Sequence, residues 1–374
     1  MIEIARNGIF TTSMFSFNDV IIIFLAVMIT DVLLLDVFNT LGLPTSTTVS
    51  VIFSLLGASV ALAVYKVYVS GDSFSTLGNY INTEKASEIV YSILLSVALS
   101  FALGSLAQYV SRLIFTFHIE KRYKYVAALF GGVAMTAITF FILVKGLKSI
   151  TFVPSEVKDF IKESPLTIIA YSLILWTIVC QLLISVFKYS VFKFIIIVGT
   201  FGLALAFAGN DLVNFIGVPI AAYQAFEIWA APGQTVGATE FMMSGLEKEN
   251  LPAPFIFLAL AGLVMVYTLW TSKKAKSVIE TEQNLSRQGE GNEKYNANTL
   301  SRNLVRAMMY LGNIISFILP KSLQRKLDAQ FVQPEYTGKR DEQPMFDMVR
   351  ASVNLIVASI LISVGTSMKL PLST

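Results

Sequence analysis

Long apolar stretches with few charges, long enough to cross a lipid bilayer, recur along this chain, and no other feature narrows its fold as much. At about 1.5 Å of rise per residue, a helix needs roughly 20 apolar residues to cover the hydrocarbon core. Segments 18–42, 47–69, 87–117, 123–145, 166–189, 193–208, 252–271 and 346–368 reach or approach that length. Helices of a soluble fold keep a polar face, and these have none. Charged residues are 14% of the 374, against roughly 25% in soluble domains, and mean hydropathy is +0.67. The sequence predicts an all-α, polytopic helical membrane protein.

Loop charge then sets orientation, because basic loops stay on the cytoplasmic side. The loop with Glu120, Lys121, Arg122 and Lys124 reads as inner, as do the turn at Lys188 and Lys193 and the run Lys273, Lys274 and Lys276. Acidic loops 70–86 and 231–251 read as outer, and alternation puts 145–165 outside too. With the basic residues explained by sidedness, the net charge of +3 gives no reason to expect nucleic acid as a partner. The single cysteine, Cys180, sits in an apolar run, cannot form a disulfide within the chain, and reads as a small buried or lipid-facing residue. His118, at a span end, reads as an interfacial residue rather than a ligand or base.

Two short motifs interrupt the apolar pattern. Leu43-Pro44-Thr45-Ser46-Thr47 follows one span, and Leu370-Pro371-Leu372-Ser373-Thr374 follows another, matching at four of five positions. Proline lacks an amide hydrogen and suits a helix start, while Ser and Thr side chains cap the free amides there. A helix that begins inside a membrane needs a polar cavity, and its N-terminal amides and dipole then favour an anion. The recurrence suggests an internal duplication, a common way to build a transporter. The second motif is Ala208-Gly209-Asn210-Asp211-Leu212-Val213-Asn214, followed by Ile216-Gly217-Val218-Pro219-Ile220-Ala221-Ala222. If helical, 193–230 would be about 57 Å long, too long for one straight span, so a break is expected at Gly209-Asn210. An Asp with two Asn deep in apolar sequence reads as functional. Asp211 can hold a cation or a proton, and the Asn amides can donate to the oxygens of an oxyanion or accept a cation.

At these residues the chain resembles the inorganic phosphate transporter (PiT) family. AGNDLVN followed by IGVPIAA is similar to that family's GANDxxN signature, and LPTSTT and LPLST are similar to its PxSTT motif, which occurs once per repeat. The resemblance implies two inverted repeats whose broken helices meet near the membrane centre, and import of inorganic phosphate with sodium or protons. It implies substrate contacts from Gly209, Asn210, Asp211 and Asn214, from Ser46, Thr47 and Thr48 in one repeat, and from Ser373 and Thr374 in the other. In this chain Ala208 and Gly209 are swapped relative to the family order, and Val49 stands where many members have His. No Gly-Asn-Asp motif precedes LPTSTT, so the chain is expected to be an internal piece of a longer protein, lacking both ends. The expected organisation is part of a first repeat with following helices (1–146), a second-repeat start carrying the Asn-Asp motif (147–271), a cytoplasmic linker (272–344) and a last span ending in the second LPxST (345–374). The linker's Glu280–Asn298 stretch suits a flexible tether. After it, apolar residues from Leu304 to Ile315 share a helical face with Arg302 and Arg306 opposite. That helix can lie in the inner membrane interface or pack on the transporter's cytoplasmic side.

Charge bears on mechanism without the resemblance. No Lys, Arg or His occurs from residue 7 to 65 or from 194 to 247, yet Asp19, Asp31, Asp36, Asp211 and Glu227 lie in those windows. An oxyanion beside carboxylates, without counter-charge, is prohibitive to bury. Bound cations must neutralise it, which points to cotransport. Asp211 with Asn214, and Asp36 with Asn39 three residues on, are the expected cation sites, for Na⁺ or a proton. Arg350 and Lys369 are the basic residues nearest the second LPxST. Asp31 reads equally as part of a second cation site or as an interhelical polar contact. Glu227 reads as an interfacial residue or a gate. Expected partners are inorganic phosphate, a coupling cation, the lipid bilayer and, left open, a second copy of the chain in a homodimer; no cofactor and no metal beyond sodium are expected. Multi-pass insertion in the inner (plasma) membrane follows. Another tetrahedral oxyanion such as sulfate is the alternative substrate, although phosphate can donate a hydrogen bond to Asp211 and sulfate cannot. An integral membrane enzyme is disfavoured by the lack of a nucleophile–base pair, and a channel by motifs that suit occlusion.

Overall fold

The computed structural model describes residues 2–115, 124–143, 163–247, 253–285, 297–318, 320–332 and 347–367. Among these there is no β-strand, only two isolated bridges, Phe10 with Ile81 and Ser16 with Met242. The helices are α1 (Ile2–Asn7), α2 (Phe17–Leu41), α3 (Thr47–Ser70), α4 (Leu77–Tyr80), α5 (Thr83–Ile114), α6 (Lys124–Phe141) and α7 (Pro165–Ser185). They continue with α8 (Val191–Ala230), α9 (Phe255–Thr271), α10 (Lys273–Leu285), α11 (Thr299–Ile318), α12 (Lys321–Phe331) and α13 (Met348–Ser367). Each of the eight apolar segments expected from the sequence contains a long helix. Among the described residues five helical stretches are long and apolar enough to cross a membrane, α2, α3, α5, α7 and the Asp211–Ala230 part of α8, and α9 with the start of α10 makes a sixth if that bent pair is one span. The protein is an all-α, polytopic membrane protein.

Local chemistry explains the first hairpin. Ser16 and Asp19 form a capping box that starts α2, each side chain accepting the other's backbone N–H. Gly42, at φ 63°, ends α2 in the left-handed conformation that a side chain would resist, and its N–H reaches the Asn39 carbonyl. Residues 43–46 then turn the chain through Pro44, and Ser46 caps α3 by accepting the Val49 N–H. The hairpin is antiparallel: Asp31 meets Ser50 near one end, and Asp19 meets Lys66 at the other, 2.5 Å apart.

Helix α8 is the spine of the molecule. Its first half packs with α6, α7 and α13 through Val191 and Ile195, and its second half joins α2 and α3 through Val218, Ala221 and Ala225. The break expected at Gly209-Asn210 does not occur: α8 runs through it as 40 helical residues, about 60 Å. Gly and Asn are poor helix formers, but both keep an amide hydrogen. Pro219, which lacks one, also lies inside the helix. The interruptions fall elsewhere, at the 43–46 turn and at Ser272, where the axes of α9 and α10 differ by 71°. Glycines let α6 and α7 approach closely: a Cβ on Gly132 would stand 2.0 Å from Thr177 Oγ1, and one on Gly131 would stand 2.6 Å from Cys180 Sγ. Cys180 is fully buried there.

The two ends of the bundle carry the expected charge difference. Residues 10–18, 80–82 and 237–247 gather at one end, tied by Phe17 N–H to the Phe241 carbonyl and Asn82 N–H to the Ile9 carbonyl. Both acidic loops therefore lie together. The opposite end holds the 43–46 turn and α10, whose Thr281 donates to the Gly42 carbonyl at 2.8 Å. Residues 120–123 of the basic loop, His118 and most of 145–165 lie outside the described residues.

Candidate functional site

Where α3 begins, its first turn faces the middle of α8. Thr47 Oγ1 donates to Asp211 Oδ1 at 2.8 Å. Asn214, one turn beyond Asp211 and 1% exposed, donates from Nδ2 to Thr47 Oγ1 and to Thr48 Oγ1, each at 2.8 Å. This chain of bonds fixes the orientation of the Asn214 amide. Thr47 has one hydroxyl proton and gives it to Asp211, so it can only accept from Asn214, which must present its NH₂ group. The Asn214 Oδ1 is thereby turned away from the hydroxyls, and it is buried with no hydrogen-bond partner among the described residues. A buried carbonyl oxygen without a donor is costly and is the kind of hard ligand a small cation accepts.

The hydroxyls divide their work. Ser46 is the cap, with its Oγ 3.4 Å from the Val49 N–H. Thr47 and Thr48 bond to α8. Three residues after Thr47, one helical turn, Ser50 donates to the buried carboxylate of Asp31. Two carboxylates, one from α2 and one from α8, thus accept hydroxyl protons from successive turns of one helix. Neither has an ion-pair partner among the described residues. Beside this turn, a cavity of about 600 Å³ opens between α2 and α3, and the residues lining it include Thr30, Thr45, Ser46, Ser50 and Ser54.

The other expected site residues are placed differently. Asp36 points out at the far end of α2, 61% exposed, and its carboxylate is 2.5 Å from Lys274 Nζ on α10. Asn39 contributes its backbone carbonyl to Gly42 and, at 3.4 Å, to Ser277. The pair expected to hold a cation is therefore not brought to Asp211. Asp19 likewise has a basic partner, Lys66. The 7–65 window is thus not free of counter-charge in space: lysines from outside it reach both ends of α2 and leave only the middle, at Asp31, without one. Glu227 is exposed and hydrogen-bonded with Tyr223. Gly209 and Asn210 lie in α8 just before Asp211, with the Asn210 side chain outside the described set, as are Ser373 and Thr374.

Asp31 is the residue sequence reasoning undervalued. It continues the stripe Val20, Phe24, Val27 at helical spacing, and all four are buried, whereas Asp36 falls on the other side of the helix. The phase of the buried stripe, rather than the proximity of Asn39, was the usable signal.

Comparison with known proteins gives two matches. A profile described as the phosphate transporter family matches residues 1–282. Among solved structures, a chain described as the sodium-dependent phosphate transporter is similar in fold, with a TM-score of 0.53 and 16% sequence identity, over 100% of this chain and 71% of that one. No curated protein matches.

Proposed function

This chain belongs to the phosphate transporter family, and from that premise we propose that it imports inorganic phosphate together with a cation, Na⁺ or H⁺, across the inner (plasma) membrane. The observation that carries this reading is the network joining Thr47, Thr48, Asp211 and Asn214 between the start of α3 and the middle of α8. The first amides of α3 have no helical carbonyl to bond, so this helix end can attract an oxyanion. The dipole offsets only about 0.3–2 kcal/mol of the repulsion between phosphate and Asp211. A cation at Asp211 and Asn214 Oδ1 supplies the rest, and its presence makes the phosphate site habitable. Uptake of each then requires the other. Gly209, Asn210, Ser46 and, in the second motif, Ser373 and Thr374 are the remaining proposed substrate contacts. The cation role passes to Asp211 and Asn214 rather than Asp36 and Asn39, since Lys274 already neutralises Asp36.

The test is labelled-phosphate uptake by the full-length protein carrying Asp211→Asn, with Asp36→Asn alongside. Asp211→Asn should insert normally and lose coupled uptake, while Asp36→Asn should retain it. Undiminished uptake by Asp211→Asn would remove that carboxylate from the mechanism.

A further inference from the structure

Helix α11 is the largest feature that the transport site leaves unused, and it lies beyond residues 1–282, the part matched by the family profile. Leu300, Leu304, Met308, Leu311 and Ile314 recur at three- and four-residue spacing and form one stripe, every one of them 44–78% exposed. Arg302, Arg306 and Asn313 lie on the opposite face, which also carries Met309 and Phe317. From Thr299 to Leu327 the chain carries five basic residues, Arg302, Arg306, Lys321, Arg325 and Lys326, and no acidic one. An apolar stripe facing water is untenable, so something must cover it. The alternative that the sequence allowed, packing of this stripe on the transporter's own inner face, is not what the structure shows.

The position of the segment says what covers it. Helix α12, which follows directly, stacks Phe331 on Tyr109 with ring centroids 5.4 Å apart. Tyr109 lies near the end of α5, the end opposite the acidic loops. The segment is also reached from α10, whose lysines lie at that same end. A one-sided helix with arginines along its polar face is too polar to span and is held at the level of the headgroups. We propose that α11 lies in the inner surface of the bilayer, its apolar stripe among the upper acyl chains and its basic residues, with those of α12, on anionic phospholipid headgroups.

Cys180 is fully buried, so an environment-sensitive thiol label can be directed to an introduced cysteine. The full-length protein carrying Met308→Cys or Asn313→Cys is labelled and placed in nanodiscs of phosphatidylcholine, with or without phosphatidylglycerol. Brominated acyl chains serve as the quencher. The label at 308 should be quenched and that at 313 should not. Quenching at 308 should deepen with phosphatidylglycerol and weaken at high salt and in Arg302→Gln/Arg306→Gln. A label at 308 that is blue-shifted yet unquenched would mean that protein covers the stripe and would overturn the proposal, as would one that reports water. Equal quenching with and without phosphatidylglycerol would overturn the headgroup assignment.

Discussion

Thr47 holds the two halves of the site together, and replacing it with valine isolates that role because the side-chain shape is kept. Its hydroxyl makes two bonds at 2.8 Å, giving a proton to Asp211 and receiving one from Asn214. A bond to a charged acceptor contributes about 1.5–3 kcal/mol, and a neutral one about 0.5–1.5. Interhelical bonds measured in membranes lie lower, at about 0.6–1.7 kcal/mol. Asn214 keeps its bond to Thr48, so its loss is small. The charged bond dominates, and the sum is about 2 kcal/mol, or roughly 30-fold in affinity. Thr47→Val should therefore weaken the apparent affinity for the coupling cation by about that factor, and Thr47→Ser should recover most of it. The assay is initial phosphate uptake at fixed phosphate and varied cation, with surface expression as the control. An unchanged cation dependence in Thr47→Val would refute the argument that this hydroxyl orients Asp211 for a ligand.

Other outcomes follow from the packing. Arg112 on α5 and Asp347 before α13 are 5% and 4% exposed and ion-paired, so Arg112→Ala removes the cation beside a buried carboxylate and leaves it the Val349 and Arg350 backbone N–H groups. It should cost about 3–5 kcal/mol, read as a lower melting temperature in detergent, with part recovered in Arg112→Ala/Asp347→Ala. Gly132→Ala would bring its Cβ within 3.1 Å of the Thr177 Cα and force α6 and α7 apart, which should lower thermal stability by about 1–3 kcal/mol. Gly104→Ala, with nothing within 4 Å, should leave stability unchanged or improve it.

Hydropathy alone located the spans, because in lipid the backbone must bond within each segment and apolar length is nearly the whole constraint. The LPTSTT turn was equally legible, since Gly42, Pro44 and Ser46 each have one plausible local use there. The pairing of that turn with Asp211 and Asn214 was reached through a resemblance, and the geometry supplied what the motif could not: which hydroxyl bonds which side chain, and the buried Asn214 oxygen left over. Contacts between distant segments stayed hidden. Lys66 and Lys274 are remote in sequence from the charge-poor hairpin they neutralise, so a window count could not anticipate Asp19 and Asp36 as ion-paired. The continuity of α8 was also hidden, because a glycine and an asparagine lower helix propensity by only about a kcal/mol each and packing overrides that. Asp31 is legible from helical phase, which places it on the buried stripe of Val20, Phe24 and Val27.

Dependence of phosphate movement on a cation gradient is the claim on which the rest stands. The full-length protein, reconstituted in sealed liposomes with labelled phosphate outside, should accumulate phosphate above its external concentration when an inward Na⁺ or H⁺ gradient is imposed. Accumulation should collapse once ionophores dissipate both gradients. Phosphate concentrated against its own gradient with both dissipated would contradict the account.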